Sequence, residues 1–446
     1  MDNYYSTTHV LKSLLCMFAI YNKYIIYIIY IIYKMLILGN LYTQYNSLWI
    51  ILLSSIELNG YKYFKKTKIV DDVVIYQYNI KIDDESTYIQ IGHETINIPN
   101  IKPQLNNTSI YFVSCDGQNI KKYNYSNPMK IYNVTDDTDM WKKLYIDIKA
   151  DTNIHKYVIH LGDQVYMDDA HIELAKNKTT NDIATVRRAY YNVYNTNYNN
   201  KYKKKVLSIA YNIMIGDDHE FIDNYGSVPN NLTHTMLENV KDMYEIFQED
   251  LYGIKDHNIK HLVFNDFQII IPDLRKYRKL ITDNITKYPI MGEIQMNEFD
   301  NIIKNTHAKI KRTYYVSTTP LVSVNKTFEK VLDSLTGRKK ELLIDSYIAS
   351  PIYTLEQKYV LDKLFEFNSD VIIVCGDLHM ADFYTFTKDD KTIKQITTSP
   401  ISSDPTGLTS PLHVKIIRTI ANNLMYDRTI DDITIEKNGL FLIIII

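Results

Sequence analysis

The chain has 446 residues, of which 46% are hydrophobic and 23% charged, a balance that excludes a disordered or fibrous protein. This length suggests two or three domains, because single cores stop growing near roughly 250 to 300 residues. With 50 Lys plus Arg against 52 Asp plus Glu the net charge is -2, so there is no overall positive field to hold a polyanion, and no general nucleic-acid binding is expected. Only three cysteines occur, Cys16, Cys115 and Cys375; so few form no disulfide framework and favour reduced thiols in an intracellular setting. The 39 Tyr beside 13 Gly and 2 Trp read as the codon bias of an AT-rich genome, so Tyr and Asn clusters carry little weight.

At the amino terminus, residues 24–33 read YIIYIIYIIY between Lys23 and Lys34. A spanning helix needs about 20 apolar residues, so membrane association through residues 11–38 is not the favoured reading. Asp2 and the lack of a small-residue cleavage site speak against a signal peptide. Residues 1–34 read as a hydrophobic low-complexity extension, either disordered or preceding a start at Met35. From 35 to 104 the stretches LWIILLSSIEL, DDVVIYQYNIKI and TYIQIGHETINI are strand-like and separated by polar turns, which predicts a small β-rich module. Within it YKYFKKTK at 61–68 reads as a solvated hairpin loop.

After Pro103 buried strands alternate with helical segments, which predicts an α/β domain over 105–446. Four segments place acids, His or Cys directly after an apolar run: SIYFVSCDG (109–117), KYVIHLGDQVYMDD (156–169), LSIAYNIMIGDDHEF (207–221) and DVIIVCGDLHMAD (370–382). In open α/β sheets the loops at the carboxyl ends of such strands form the ligand crevice. Carboxylates and imidazoles arriving from several strands suit divalent or trivalent metals, whose charge offsets the repulsion among the acids. Gly162 and Gly376 precede Asp163 and Asp377, where a tight turn lets a carboxylate point into a crevice. Asp163 alone reads equally well as a strand-end or helix-capping acid; GD, DDHE and GDLH together read as a site. No P-loop and no G-x-S-x-G elbow occurs. Cys115, with Asp116 beside it, suits ligation better than nucleophilic attack.

The order SCDG, HLGDQVYMD, GDDHEFIDNYG, IPDLRKYR and CGDLH resembles the PhoD-like branch of the calcineurin-type metallophosphoesterases, over about residues 36–405. Weaker echoes are MGEIQMNEF (291–299), TTPLV (318–322) and TTSPISS (397–403). The resemblance implies a two-sheet sandwich flanked by helices, with the metal site at the strand ends and a β-rich module before it. It implies metal-dependent hydrolysis of a small phosphate ester, monoester or diester, by a metal-activated water. Two or more ions are implied, drawn from iron, calcium, zinc or manganese. Asp163 would be the carboxylate shared between metals and Tyr166 a metal-binding phenolate. Cys115 matches the cysteine after the first strand, and Asp116 stands where the wider superfamily places an acid. Asp218 and His219 take the place of the Asn-His pair, a ligand and a catalytic imidazole near the phosphoryl group, with Asp217 the uncertain neighbour. Asp377 and His379 correspond to the last two ligands, and Asn224 to a polar position near the substrate. Gly216 departs from the family, where Trp is frequent, and this predicts a more open pocket wall.

The guanidinium of Arg275 suits bidentate contact with a substrate phosphate, an expectation weighed equally against a buried pair with Asp273 or a solvated Arg. His160 reads as a satisfied histidine, either in the core or behind the metal ligands, rather than as a ligand itself, and KYKKK at 201–205 is not expected to touch an anionic substrate. Two other readings stay open: a catalytically inactive, interacting or membrane-associated descendant, and a metal-dependent nuclease using the same chemistry.

Overall fold

The structure is a computed structural model that describes residues 36–44, 47–55, 57–58, 62–82, 88–91, 94–97, 108–117, 139–153, 155–252, 258–282, 287–322, 345–347, 350–377, 382–398, 401, 429–430 and 433–437. The low-complexity run at 24–33 and His379 lie outside the described residues. No helix among the described residues is long and apolar enough to cross a membrane.

The described residues begin with an antiparallel sheet of β1 (Leu36–Gln44), β2 (Ser47–Ser54), β3 (Tyr63–Val70) and β4 (Val73–Ile82) in the order β1-β2-β4-β3. β3 corrects the expectation for 61–68, because Tyr63 to Val70 pair with β4 as an edge strand. Its side chains alternate between exposed and half-buried, and such an edge tolerates lysines that a central strand would not. TYIQIGHETINI folds as a two-stranded hairpin, β5 (Tyr88–Ile91) with β6 (Glu94–Asn97).

Two further sheets form the α/β body. β7 (Thr108–Val113), β8 (His155–Leu161) and β9 (Tyr211–Ile215) pair in parallel. The second sheet holds β10 (Ile259–Val263), β11 (Phe267–Pro272), β12 (Arg312–Ser317), β13 (Asp370–Cys375), β14 (Asp382–Lys388), β15 (Lys391–Thr397), β16 (Thr429–Ile430) and β17 (Ile433–Lys437). Its order is β10-β11-β12-β13-β15-β14-β17-β16, with β11, β12, β13 and β15 parallel at the centre. The apolar run HLVFNDFQIII is thus the β10–β11 hairpin.

The sheets face each other across one core, where Ile110, Ile159, Leu161, Ile213 and Ile215 of the first meet Ile269, Ile271, Tyr314, Val316 and Val374 of the second. Helices cover both outer faces. α1 (Met140–Ala150) lies on the first sheet through Trp141 and Ile148. α2 (Asp168–Lys176) and α3 (Ile183–Tyr198) follow β8, the latter started by Asp182, which accepts from the N–H groups of Ala184 and Thr185. α4 (Lys201–Ile209) corrects the strand-like reading of LSIAYNIMI: the helix runs to Ile209, and β9 keeps only five residues. α5 (His234–Tyr244) packs beside α3. α6 (Gly292–Asn305) and α7 (Pro351–Phe365) shield the second sheet. α2, α3 and α5 also bury Leu53, Ile69, Val70 and Ile75 of the amino-terminal sheet, while Gln77 and Lys65 donate to Asp250 at 2.9 and 3.1 Å.

Candidate metal centre

β7, β8, β9 and β13 each stop where a polar loop begins, and these loops converge. The N–H of Cys115 donates to the carbonyl of Gly162 at 3.2 Å, and the N–H of Asp116 to the carbonyl of Asp163 at 2.7 Å. A Cβ at Gly376 would stand 2.9 Å from both the Leu161 carbonyl and the Ser114 side chain, so three strand ends meet where only hydrogen fits. Gly162, at φ +95°, is tighter: a Cβ there would lie 2.5 Å from that of Asp217. Cys115, Asp163, Asn224 and Asp377 all hold positive φ, between 56° and 69°. Left-handed backbone costs a non-glycine residue on the order of 1 to 3 kcal/mol and clusters where a structure aims side chains at a ligand.

Among the described residues one group comes close enough to hold a metal: ligand atoms of Asp163, Asp218 and His219 all lie within 4.8 Å of one another. Both carboxylates are buried. Asp163 Oδ2 accepts the Tyr166 hydroxyl at 3.2 Å, and Asp218 Oδ2 accepts the N–H of Asn224 at 2.6 Å. The other oxygens, Asp163 Oδ1 and Asp218 Oδ1, are buried without a hydrogen-bond partner. An orphaned buried carboxylate oxygen costs a few kcal/mol, and two of them in this group are oxygen donors that a cation fits.

The electrostatics agree. Burial pushes the Asp163 carboxyl well above the usual carboxylate range, and the charges of Asp217, Glu220 and Asp377 add to the rise. Burial does the same to Asp218. Asp377 is pushed up to about 7, by burial and by Asp217 and Asp345. The thiol of Cys115 is raised by burial and by Asp163, and its Sγ lies 4.0 Å from the Asp377 carbonyl. Burial alone would lower the His219 imidazole, but Asp218, Asp168 and Asp163 around it hold it well above its ordinary value.

Two acids the sequence reading passed over organise the cluster. Asp168, five residues beyond Asp163 at the start of α2, takes His219 Nδ1 at 2.6 Å through Oδ2 and the N–H of Asp223 at 2.9 Å through Oδ1. The ring of Tyr166 lies 4.3 Å from that of His219, a second restraint on the imidazole. Glu220, fully buried, accepts the N–H groups of Asp163 at 3.0 Å, Gln164 at 2.6 Å and Asp217 at 2.7 Å, which joins the β8 loop to the β9 loop. The visible signal was the final letter of DDHE.

Several expected roles change. Asp116 is outside that close group and is engaged by Lys203, itself wholly buried, which holds its Oδ2 at 2.8 Å, and by Asn197, which donates to the same oxygen at 3.2 Å. Lys203 is the middle of KYKKK. Arg275 is buried and is turned inward on acids: Nε donates to Asp217 Oδ1 at 2.5 Å, and Nη2 lies 2.8 Å from Asp345 Oδ2. The pair with Asp273 is not formed by the guanidinium; only the Arg275 N–H donates to that carboxylate, at 2.9 Å. Gly216 leaves no opening, since the Tyr244 ring fills the space a Cβ would need, 2.8 Å away, and the Tyr244 hydroxyl accepts the Gly216 N–H at 3.0 Å. His160 is a core histidine: it bonds Asn212 at 3.1 Å, and burial lowers it to about 3.

No family model matches the chain, and no curated protein matches it. Solved structures do. The structure of PhoD is similar over 82% of this chain and 77% of its own, with a TM-score of 0.51 at 14% identity. The purple acid phosphatase PPD1 from yellow lupin (Lupinus luteus) seeds is similar over 82% of this chain and 64% of its own, with a TM-score of 0.44 at 12% identity. At this identity the likeness is one of fold, and the fold is of the metallophosphatase type.

Proposed function

We propose that this chain is a metal-dependent phosphoester hydrolase of PhoD-like type, with residues 105–446 as its catalytic domain, 35–104 as an accessory β-rich module and a small phosphate ester as its substrate. The observation that carries the reading is the buried pair of unpartnered oxygens, Asp163 Oδ1 and Asp218 Oδ1, beside His219 at the ends of parallel strands.

Asp163 and Asp218 would hold the ion through those oxygens, and Cys115, Tyr166, Asp377 and His379 complete the proposed ligand set around a second. A bound metal supplies a water of lowered pKa and a Lewis acid for the phosphoryl oxygens. The chain's own work is orientation and proton transfer. Since Nδ1 of His219 is committed to Asp168, Nε2 is the nitrogen that turns to substrate. The surrounding acids hold the imidazole well above its ordinary value, which favours its protonated form, and in this reading Nε2 donates to the departing oxygen as it takes up charge. Asn224, on its left-handed turn, lies one hydrogen bond from Asp218 and faces the same reaction volume in this reading.

Asp163→Asn keeps the shape and removes the charge. Its turnover of p-nitrophenyl phosphate and of the bis-ester, measured with added Mn2+, should fall at least about a hundredfold while circular dichroism stays unchanged. Hydrolysis at the parent's rate would discard the reading, and metal uptake with no turnover of any ester would favour the inactive descendant.

A further inference from the structure

DDHE offers two adjacent carboxylates after β9, and of the two Asp218 joins the close group with Asp163 and His219. The fold separates them with a guanidinium. Arg275 arrives on the loop after β11 with 4% of its surface exposed. It binds Asp217 Oδ1 through Nε at 2.5 Å, the Tyr225 carbonyl through Nη1 at 2.9 Å and Asp345 Oδ2 through Nη2 at 2.8 Å. Nη2 also lies 3.5 Å from Asp218 Oδ1, too long for a strong bond but close enough for attraction. Asp345 is fixed in turn by Ser227 and Arg278. The guanidinium therefore engages one oxygen of Asp217, whose Oδ2 stays without a hydrogen bond as Asp218 Oδ1 does, and of the two acids Asp218 is the one grouped with Asp163 and His219.

We propose that Arg275 is a positioning residue, a permanent internal cation that claims Asp217 and Asp345 and so reserves Asp218 for metal. The inference rests on the metal-site reading above. A guanidinium suits the task because it stays charged in a buried site and its rigid fork addresses several oxygens in fixed directions. An ammonium at the same place would keep the charge but not the directions. Nε and Nη1 are committed to Asp217 and the Tyr225 carbonyl and Nη2 lies against Asp345, so a substrate phosphate would have to compete with these groups for the guanidinium.

The experiment is a calorimetric Mn2+ titration of metal-stripped, full-length chain, with kcat and KM for p-nitrophenyl phosphate measured alongside. Arg275→Met would strand three buried acids and risks failing to fold, so Arg275→Lys is the working variant and Asp217→Asn an independent one. In Arg275→Lys the Mn2+ dissociation constant should rise about 10- to 100-fold and kcat fall by a similar factor, with KM within about twofold of the parent. Asp217→Asn should stay within about tenfold of the parent in Mn2+ affinity, whereas Asp218→Asn should lose about a hundredfold or more. A raised KM with unchanged Mn2+ affinity in Arg275→Lys makes Arg275 a substrate contact and overturns the proposal. A lower melting temperature with Mn2+ affinity and KM unmoved makes it a structural residue only and overturns it too. If Asp217→Asn is as damaging as Asp218→Asn, Asp217 is itself a ligand, and the proposal fails while the metal site stands. If Asp163→Asn and Asp218→Asn both bind Mn2+ like the parent, the metal site itself is wrong.

Discussion

Asp168 sets the chemistry of His219 without reaching the substrate side of the ring. Burial raises its own carboxyl, but the neighbouring imidazole and the N–H of Asp223 outweigh that, and it ends below its ordinary value. It is one of three acids that hold His219 well above its ordinary value. Asp168→Asn removes the carboxylate charge and keeps an oxygen for Nδ1. With less to stabilise the imidazolium, the pKa of His219 falls, so the alkaline limb of the kcat profile should move to lower pH. An unmoved limb in Asp168→Asn would mean that the titrating acid is another group. The sequence displayed DDHE and GD plainly, because each motif is a local string. It did not display which acid faces the ion, since that depends on Arg275 and Asp345, far along the chain. Lys203 was hidden for the same reason: within KYKKK it looks like solvated charge, and only the helical turn from Asn200 sends it inward to Asp116.

At the scale of elements, continuous apolar runs were legible as buried strands, while their lengths were not. IAYNIMI contains a helix end and a strand start of equal hydrophobicity, and the boundary falls at Ala210, where the backbone turns extended. The lysines of β3 looked like a loop because an edge strand buries only alternate positions. α7 carries a test of how helix and loop are joined. Its Glu356 is fully buried and accepts the N–H groups of Ile290 and Met291 at 2.7 and 2.8 Å, where the chain enters α6. Burial raises its carboxyl from 4.5 to about 7. Between those values the folded chain binds more protons than the unfolded one. The contribution of Glu356 is therefore greatest below pH 4.5 and declines as pH rises toward 7, by on the order of 3 kcal/mol. Glu356→Gln cannot ionise. Urea midpoints of the variant should be flatter with pH across that window, even though the lost acceptor costs about 1 to 3 kcal/mol throughout. Parallel slopes for variant and parent would refute the assignment.

At the scale of the whole molecule, the sandwich follows from amphipathic elements that must each bury one face; the pattern of apolar runs conveyed the α/β character, and the two-sheet arrangement was implied by the family resemblance. The seam between the amino-terminal sheet and the body was invisible in the sequence, because Gln77 and Asp250 lie 173 positions apart in the chain. The two unsatisfied oxygens at Asp163 and Asp218 have a consequence for the melting curve. Acids that repel one another in a folded interior relax when the chain unfolds, so a cation that enters between them acts as a rivet. Heating the chain with increasing Mn2+ should raise its melting temperature with the logarithm of concentration, corresponding to about 2.7 kcal/mol at a hundred times the dissociation constant. EDTA should reverse the gain, and Asp218→Asn should show almost none of it. Calorimetry of an unpurified-substrate, enzymatically silent sample would then report occupancy directly, turning heat resistance into a gauge of how many molecules are charged with metal.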